Sequence, residues 1–482
     1  MEMNAEIPRL VTAALKGGAG KTFITVGLIA ALRNRGLSPA AFKKGPDYID
    51  AGWLGLAASD HCYNLDSYLF DQETVRASFV RRSLGKAVAI VEGNRGIFDG
   101  VDSAGSYSTA ELAKLLKAPV VLIVDATKVT RTAASFVLGC RAMDPELDLR
   151  GVILNRVAGS RHETILRQSI EEASSIPVIG SVNKLRLDNF PQRHLGLLPL
   201  HEHPGAMEFI SAASRVVEQS VDLDRVMEIA LAAEKFPIEN LSGIWTEPEF
   251  PRSPTVRIGI LKDSAFQFYY PENLEALERK GARLVEISAL APRELPNIDG
   301  MYIGGGFPET HAARLAENHT FKESLLAAVR RGLPVYAECG GLMYLSRNLC
   351  IDDHVYPMVG VFDIDAVLQR KPQGLGYVRV EVTGSNPFYP RGKELAGHEF
   401  HYSSVSNLEQ AVSACAFRVL RGHGMDGTRD GICTLNVLAT YVHIHALGEP
   451  LWAEGIINKA LEFHAKQSGS GGNPSTRVSG ES

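Results

Sequence analysis

One cysteine of this chain stands where its neighbours favour nucleophilic chemistry. In the segment LPVYAECGGLMYL (residues 333–345), an apolar run leads into Cys339, and Gly340 and Gly341 follow it. The pattern predicts a strand that turns sharply into a helix, which places the thiol at the carboxyl edge of a sheet. The N-terminus of that helix favours a thiolate and offers N–H donors to a developing oxyanion. A buried structural cysteine beside a Gly-Gly turn is the alternative that this segment leaves open.

Histidines near a later strand end are candidates for the base that such a cysteine needs. The segment LATYVHIHALGEP places His443 and His445 two residues apart, so both lie on one face if the chain is extended. A strand that runs into three glycines in MYIGGGFPE is suited to donate backbone N–H groups to a tetrahedral intermediate. The predicted oxyanion-binding residues are Gly304, Gly305, Gly306 and Gly340.

A zinc site is the alternative chemistry for this half, because GHEFHYS adds His398, Glu399 and His401. The HEFH spacing is one residue shorter than the HExxH of zinc proteases, so it does not match their helical face. We therefore favour cysteine chemistry here.

The first half contains a glycine loop between a predicted strand and a predicted helix, in LVTAALKGGAGKTFITVGLIAAL. Backbone N–H groups of such a loop bind phosphates together with the N-terminus of the helix. Leu15 replaces the first glycine of GxxxxGK[ST], and Lys16 gives the variant KGGxGKT, which brings a second lysine to the phosphates. The predicted nucleotide-binding residues are Lys16, Gly17, Gly18, Gly20, Lys21 and Thr22, with Asn155 after a later strand as a candidate for contacting the base.

Polar residues at two further strand ends fit the same site. Glu92 ends the apolar run AVAIVE and is suited to Mg²⁺, as are the Thr22 hydroxyl and Asp47 in FKKGPDYID. In that same segment Lys43 and Lys44 are candidates for holding a γ-phosphate or a substrate carboxylate. A solvated turn is the alternative for FKKGPDYID when it is considered alone.

The order of apolar runs and amphipathic stretches predicts two α/β halves. Strand-helix alternation in residues 1–242 is typical of a doubly wound parallel sheet. Residues 243–255, which contain three prolines and no periodicity, are predicted to be a linker. A second α/β domain is expected over 256–463, and the Gly/Ser-rich residues 464–482 are predicted to be disordered. The predicted strands are Leu10–Leu15, Ala87–Val91, Pro119–Val124, Gly151–Leu154, Val256–Leu261, Gly300–Ile303 and Leu333–Ala337.

Composition restricts the compartment and the partners. The chain has 482 residues and a formal net charge of -5, without a basic block suited to nucleic acid. Its six cysteines lie far apart without a CxxC pair, which is typical of a reducing compartment. No signal segment and no long apolar run is visible, so we expect a cytoplasmic protein that binds neither nucleic acid nor membrane.

Taken together, these motifs resemble those of the cobyrinate a,c-diamide synthase family. In the second half the likeness rests on GGGFPE, AECGGLMYL, GHEFHYS and YVHIH, and in the first on FKKGPDYID, VEGNRGIFDG, PVVLIVDA, GVILNRV and RHLGLLP. It extends over nearly everything from Leu10 to about Phe463. The resemblance implies a phosphate-loop domain similar to dethiobiotin synthetase, followed by a class I glutamine amidotransferase domain.

The resemblance further implies ATP- and glutamine-dependent amidation of the a and c acetate groups of cobyrinate, with Mg²⁺ as the cofactor. Cys339 would be the glutaminase nucleophile and His443 the residue that activates it, while Lys43 would serve the phosphate or carboxylate site. The implied partners are glutamine, ATP and a tetrapyrrole polycarboxylate, with a homodimer left open as the assembly. Sirohydrochlorin, sirohaem or nickel-sirohydrochlorin stays open as the acceptor, and an ATPase switch similar to ParA and MinD or an inactive glutaminase half is a more remote alternative.

Three departures from the family pattern affect these expectations. Most class I glutaminases have a glutamate two residues after the histidine, whereas His445 occupies that place here, as it does in the cobyrinate-type branch. We therefore expect weaker polarisation of His443. The loop KGGAGKT replaces the usual SGxGKT, and EGNRG stands where many members have EGVMG.

Overall fold

The chain divides into two α/β units, Met1–Glu247 and Pro248–Ser482. The computed structural model describes residues 4–184, 192–193, 196–197, 205–237, 255–408 and 414–469. The strands of the first unit are β1 (Asn4–Ala5), β2 (Arg9–Ala14), β3 (Pro39–Lys44), β4 (Cys62–Leu65), β5 (Val88–Glu92), β6 (Val120–Asp125), β7 (Leu149–Val157), β8 (Val178–Asn183), β9 (Gln192–Arg193), β10 (Gly196–Leu197) and β11 (Phe236–Pro237). Its helices are α1 (Lys21–Asn34), α2 (Ile49–Ala58), α3 (Gln72–Ser83), α4 (Thr109–Leu115), α5 (Thr132–Met143), α6 (Ser160–Ser174), α7 (Ala206–Ser220) and α8 (Leu223–Leu231).

A parallel sheet of seven strands, in the order β4-β3-β5-β2-β6-β7-β8, forms the centre of the first unit. Strands β2, β3 and β5 are buried along their whole length, as expected for strands covered on both faces. Helix α1 approaches α7 closely at Gly27, where a Cβ would lie 2.7 Å from the Ala213 carbonyl oxygen. This order brings the carboxyl ends of β3, β5 and β2 side by side.

Among the described residues, the second unit has sixteen strands, which form a mixed sheet of ten strands, a sheet of four and a pair. Its strands are β12 (Val256–Leu261), β13 (Phe266–Phe268), β14 (Ala282–Ile287), β15 (Gly300–Ile303), β16 (Gly305–Gly306), β17 (Val335–Glu338), β18 (Asn348–Ile351), β19 (His354–Pro357), β20 (Asp365–Leu368), β21 (Gly374–Val382), β22 (Glu394–His401), β23 (Ser403–Ser406), β24 (Cys415–Arg421), β25 (Arg429–Thr434), β26 (Val437–Thr440) and β27 (His443–Ile444). Its helices are α9 (Pro271–Arg279), a 3-10 helix (Pro308–His311), α10 (Ala312–Glu317), α11 (His319–Arg330), α12 (Gly340–Leu345) and α13 (Pro450–Gly469).

The order of the ten-stranded sheet is β14-β12-β15-β17-β26-β25-β24-β21-β22-β27. Strands β14, β12, β15, β17 and β26 are parallel, and the remaining neighbours pair antiparallel. Consequently the ends of β15, β17 and β26 lie next to one another. The predicted fold class, a doubly wound parallel sheet followed by a second α/β domain, is confirmed.

Two of the predicted strands, Val256–Leu261 and Gly300–Ile303, have the predicted bounds. The others have ends shifted by one or two residues, except that β7 is longer than predicted at both ends. The predicted linker 243–255 lies outside the described residues apart from Thr255. Helix α13 continues to Gly469, six residues beyond the predicted domain end, so the tail predicted to start at 464 is helical over its first six residues. Residues 470–482 lie outside the described part of the chain. Among the described helices, none is both long and apolar enough to cross a membrane.

Candidate active sites

Cys339 lies on a strained turn between β17 and α12. Its backbone has φ 48° and ψ −99°, in the left-handed region that is costly for a residue with a Cβ. The turn is held on both sides, because the Cys339 N–H donates to the Thr440 carbonyl at 2.7 Å and the Met343 N–H donates to the Cys339 carbonyl at 3.1 Å. At Gly341 a Cβ would lie 2.7 Å from the Ile303 carbonyl oxygen, which explains the glycine there. The geometry is that of the predicted nucleophile elbow.

The predicted oxyanion glycines pack against the elbow, with one exception. A Cβ on Gly340 would lie 3.1 Å from the backbone nitrogen of Gly306, so the two glycine segments are in close contact. Strand β16, which contains Gly305 and Gly306, is held by antiparallel pairing with β13. The Gly304 N–H, by contrast, donates to the Tyr269 hydroxyl at 2.9 Å and is therefore already used within the fold. Gly305, Gly306 and Gly340 remain the candidates for stabilising an oxyanion.

His443 is buried beside this glycine segment. Strand β27 pairs with β22 so that His443 lies opposite His398, and their rings stack with centroids 4.8 Å apart. A Cβ on Gly305 would lie 2.6 Å from Cε1 and 3.4 Å from Nε2 of His443, so this edge of the ring faces the glycines. The opposite nitrogen, Nδ1, is 3.4 Å from Oε2 of Glu338. The base candidate thus lies between the glycine segment and a carboxylate.

Glu338 was missed by the sequence analysis, although it immediately precedes Cys339. We expected weak polarisation of His443 because a histidine replaces the usual glutamate two residues later. The structure places a buried carboxylate from β17 near His443, a neighbour that this expectation did not include, and the polarisation of His443 stays a prediction. The signal in the sequence was an acidic residue at the last position of a fully apolar strand.

His445 contacts a different set of residues. Its Nε2 is 3.7 Å from Oε2 of Glu272, its ring packs on Tyr270 at 4.4 Å, and its Nδ1 accepts a hydrogen bond from Leu447 N–H. Burial lowers the pKa of His445 to about 3, so the ring is neutral. Its predicted catalytic role stays a prediction.

The electrostatics of the thiol differ from the sequence expectation. Burial, followed by the charges of Glu309, Glu338 and Asp430, raises the pKa of Cys339 well above its usual range, despite the Gly340 N–H that favours the thiolate. The expected preference for a thiolate at the start of α12 is therefore outweighed by burial. Deprotonation in this state requires a base.

The zinc alternative involved residues that have other partners. Glu399 accepts hydrogen bonds from the His423 and Gly424 N–H groups, at 2.6 and 2.8 Å. His401 Nδ1 is 2.7 Å from the Ser403 carbonyl, and its ring stacks on Tyr441 at 3.6 Å. Glu399 and His401 are therefore both bonded to backbone groups within the second unit.

In the first unit, the phosphate loop joins β2 to α1 as predicted. Gly18 and Gly20 have φ values of 71° and 90°, which glycine tolerates best, and no atom lies within 4 Å of a Cβ built on Gly17. Lys21 is buried and donates to the Arg95 carbonyl at 2.7 Å. Burial, followed by repulsion from Lys43, lowers the pKa of its ammonium.

Two residues of β7 bond to the phosphate loop, and Lys16 of the loop lies near Asp125. Asn155 Nδ2 donates to the Ala19 carbonyl at 2.8 Å, so the side chain predicted to contact a base bonds to the loop itself. Arg156, which the sequence analysis missed, joins the Gly18 carbonyl and Asp125, each at 2.8 Å. The Lys16 side chain is 68% exposed, with Nζ 3.5 Å from Asp125.

Lys43 is the centre of a group of buried charges at the ends of β3 and β5. Its Nζ lies 2.6 Å from Glu92, 2.8 Å from Asp50 and 3.8 Å from Asp47. The Thr22 hydroxyl donates to Glu92 at 3.0 Å, which connects the group to the phosphate loop. Asp50 belongs to this group and was not among the predicted site residues.

The charges in this group perturb one another. Burial raises the pKa of Glu92 and raises that of Asp47 to about 7. Burial alone would raise the pKa of Asp50, but the Lys43 ammonium outweighs it and holds that pKa below its usual range. Lys44, the neighbouring lysine on β3, is also buried. Burial lowers the pKa of its ammonium, and the negative charge of Asp66 opposes that change.

These residues fit a Mg²⁺ ion held jointly with phosphates. Oε2 of Glu92 is buried and has no hydrogen-bond partner among the described residues, while Oε1 is engaged by Lys43 and Thr22. No group of three or more His, Cys, Asp or Glu side chains in the described ranges forms a ready-made metal cage. Mg²⁺ commonly takes one or two carboxylates plus substrate phosphates, for which Glu92, Asp47 or Asp50 and the Thr22 hydroxyl are suitable.

The elbow and the phosphate loop together place the chain in a class of two-domain amidotransferases. Residues 257–451 match the model of the CobB/CobQ-like glutamine amidotransferase domain, and residues 10–196 match that of the CobQ/CobB/MinD/ParA nucleotide binding domain. The chain is therefore an ATP-dependent glutamine amidotransferase.

Similar proteins define the family more narrowly. The chain is 44% identical to the cobyrinate a,c-diamide synthase of Magnetococcus marinus, over 94% of this chain and 97% of that protein. It is 38% identical to the synthase of the same name from Archaeoglobus fulgidus, over 95% and 98%, and 38% identical to that of Methanobrevibacter smithii, over 94% and 99%. The chain belongs to the cobyrinate a,c-diamide synthase family.

Proposed function

We propose that this chain amidates the a and c acetate carboxylates of cobyrinate, using ATP and ammonia that it releases from glutamine. The observation that carries the proposal is the near-complete match, in both directions, to proteins named cobyrinate a,c-diamide synthase. Both units required for the reaction are present in one chain.

In the second unit, the thiol of Cys339 loses its proton to Nε2 of His443, and the sulfur attacks the side-chain carbonyl carbon of glutamine. The tetrahedral intermediate carries an oxyanion, for which the N–H groups of Gly305, Gly306 and Gly340 are the proposed donors. Collapse breaks the C–N bond, and the imidazolium returns the proton to the leaving ammonia. Water then hydrolyses the glutamyl thioester to glutamate and regenerates the thiol.

In the first unit, an acceptor carboxylate oxygen attacks the γ-phosphorus of ATP, which gives an acyl phosphate and ADP. Activation is needed because a carboxylate is a poor electrophile, whereas phosphate is a good leaving group. Ammonia then attacks the acyl carbon and expels phosphate to leave the amide. Lys16, Lys21 and the loop glycines are proposed to hold the nucleotide, and Lys43 to hold a phosphate or the acceptor carboxylate. Mg²⁺, held by Thr22, Glu92 and Asp47, would neutralise charge on the phosphates.

Comparing the rates of synthesis from glutamine and from free ammonia tests whether the second unit releases ammonia and the first unit uses it. Cys339→Ala is expected to abolish synthesis from glutamine and to keep synthesis from free ammonia, whereas Lys21→Ala should lose both. His443→Asn should impair only the glutamine route. Glutamine-driven synthesis by Cys339→Ala at the normal rate would refute the role of the cysteine, and ammonia-driven synthesis by Lys21→Ala at the normal rate would refute the role of ATP.

An acceptor panel tests the substrate. ATP consumption and the mass of the amide product are measured with cobyrinate, hydrogenobyrinate, sirohydrochlorin, sirohaem and nickel-sirohydrochlorin. The proposal expects two successive amidations of cobyrinate, and amidation of a sirohydrochlorin derivative alone would replace cobyrinate as the acceptor. The homodimer and the cytoplasmic location stay predictions, which sedimentation and cell fractionation would test.

A further inference from the structure

Glu338 is a fully buried carboxylate that adjoins the proposed nucleophile in sequence and the proposed base in space. Its Oε1 accepts the N–H of Ile444 at 3.1 Å, and its Oε2 accepts the hydroxyl of Tyr302 at 3.0 Å. The same Oε2 lies 3.4 Å from Nδ1 of His443. One side chain therefore joins the strand that precedes Cys339 to the strand that contains the base.

Neighbouring groups hold the carboxylate rigidly. Glu338 ends β17, which lies between β15 and β26 in the sheet, and Tyr302 reaches it from β15. Because its two oxygens are bonded to different strands, rotation of the carboxylate would break a buried hydrogen bond, at a cost of about 1–3 kcal/mol. The position of Oε2 beside the imidazole is thus fixed by the fold.

The neighbours of His443 give Nδ1 and Nε2 different roles. The carboxylate lies at Nδ1, whereas the Nε2 edge faces Gly305, which packs near the elbow residue Gly340. The face of the His443 ring stacks on the ring of His398. Burial, followed by the charges of His443 and His445, lowers the pKa of His398 well below its usual range, so the His398 ring is neutral. A carboxylate at Nδ1 favours the tautomer with the proton on that nitrogen, in which Nε2 is unprotonated and able to accept a proton.

The 3.4 Å separation is longer than the 2.7–3.2 Å of a formed N–H···O bond. In substrate-free enzymes, contacts of this kind are often long and shorten when the substrate binds. The residue two places after His443, where other class I glutaminases have glutamate, is His445, and it pairs with Glu272 instead.

We propose that Glu338 is the positioning residue of the glutaminase site, holding the His443 imidazole in the tautomer that accepts the Cys339 proton. It replaces the glutamate missing after the histidine, and it does so from the last position of the strand that precedes the nucleophile. It does not touch the substrate and acts only through His443. The inference rests on the proposed glutaminase function of the second unit.

Glu338→Gln tests this role, because the amide keeps the shape and the acceptor for Ile444 N–H. Its NH₂ group facing His443 would favour the opposite tautomer, so kcat with glutamine is expected to fall by about 10²- to 10⁴-fold with an unchanged KM. The acid limb of the kcat/KM profile should move to lower pH, since the imidazolium loses its neighbouring carboxylate. Ammonia-driven synthesis should persist, which also verifies folding.

The matched control is Asp299→Asn, in the same unit but at the amino end of β15. Asp299 likewise accepts a backbone N–H with one oxygen, from Arg257 at 2.7 Å, and contacts a histidine Nδ1 with the other, from His464 at 2.8 Å. This variant should keep the normal glutamine rate and pH profile. Equal losses in both variants, or a normal rate and profile in Glu338→Gln, would overturn the inference.

Cys339→Ala run in parallel separates this inference from the proposed function. If Cys339→Ala loses the glutamine route while Glu338→Gln keeps it unchanged, only the role of Glu338 fails. If Cys339→Ala also keeps the glutamine route, the glutaminase function itself fails. Loss of the ammonia route in Glu338→Gln as well would show that this variant misfolds, and Tyr302→Phe is then measured in its place. Tyr302→Phe keeps the carboxylate and removes only one of the hydrogen bonds that hold it. It should then lower kcat with glutamine by a smaller factor, and a normal kcat in that variant would refute the inference.

Discussion

Replacing Lys43 by methionine should destabilise the first unit far more than the same change at an exposed lysine. The Lys43 side chain is 1% exposed and its ammonium lies 2.6 Å from Glu92, which is fully buried. Removing one partner of a buried ion pair costs about 3–5 kcal/mol, because the other charge stays desolvated. The side chains of Asp50 and Asp47 keep 22% and 28% exposure, so we expect the lower end, about 3 kcal/mol.

Lys114 provides the matched control, because it also lies among three carboxylates. Its Nζ is 2.9 Å from Glu111, 2.9 Å from Asp144 and 3.9 Å from Glu146, but its side chain is 26% exposed. Ion pairs in contact with water contribute about 0–1 kcal/mol, so Lys114→Met should change stability by no more than that.

The assay is calorimetric unfolding of the full-length chain, with the first unit identified as the transition that MgADP shifts upward. At about 2–4 °C per kcal/mol for a unit of this size, Lys43→Met should lower its Tm by roughly 6–12 °C. Burial alone would lower the pKa of Lys43, but Asp50, Glu92 and Asp47 raise it well above its usual range. The ammonium therefore stays charged, and its contribution should be lost only as the pH rises through that raised pKa. Equal Tm shifts in the two variants, or less than about 1 kcal/mol for Lys43→Met, would refute the argument from buried charge.

Two further predictions concern the second unit. Gly305→Ala would place a Cβ 2.6 Å from Cε1 of His443, so displacement of the ring should reduce glutamine-driven synthesis by about 10²-fold while ammonia-driven synthesis persists. Gly139→Ala is the control, because no atom lies within 4 Å of a Cβ built there. A normal glutamine rate in Gly305→Ala would contradict the steric reasoning. Because burial and then Glu309 raise the pKa of Cys339, its alkylation by iodoacetamide should keep accelerating up to about pH 9. At a given pH it should be faster in Glu309→Gln but not in Glu317→Gln, as measured by mass spectrometry of the Cys339 peptide. A plateau near neutral pH would show that the thiolate is not disfavoured as argued.

Local patterns in the sequence were sufficient to predict the two turns that are proposed to carry the chemistry. The phosphate loop before Lys21 and the elbow at Cys339 each consist of a buried strand, glycines and the start of a helix, and such turns are specified by residues adjacent in sequence. Both were predicted at the correct residues, as was the α/β class of both units. The electrostatics of the thiol were predicted wrongly, because its burial depends on elements distant in sequence.

The roles of several single residues also depended on distant partners. Asn155 was expected to contact a base but bonds to Ala19, and the Gly304 N–H was expected to face an oxyanion but bonds to Tyr269. Buried polar groups form hydrogen bonds with whatever polar groups the fold places beside them. A sequence motif does not specify those neighbours. Asp50 belongs to the charged group around Lys43 because it lies in the first turn of α2 and reaches the Lys43 ammonium from there.

The sequence by itself determined which residues are able to attack, to bind phosphate and to accept a proton, because those abilities reside in residue types and short spacings. Only the tertiary structure decided which carboxylate faces His443. Glu338 and His443 are more than a hundred positions apart, and they meet because β17 pairs with β26 in parallel register and the chain then continues into β27. His445, two residues from His443, contacts Glu272 instead. Strand order and register are properties of the whole sheet, which is why the pairing of buried charges could not be inferred from any one segment.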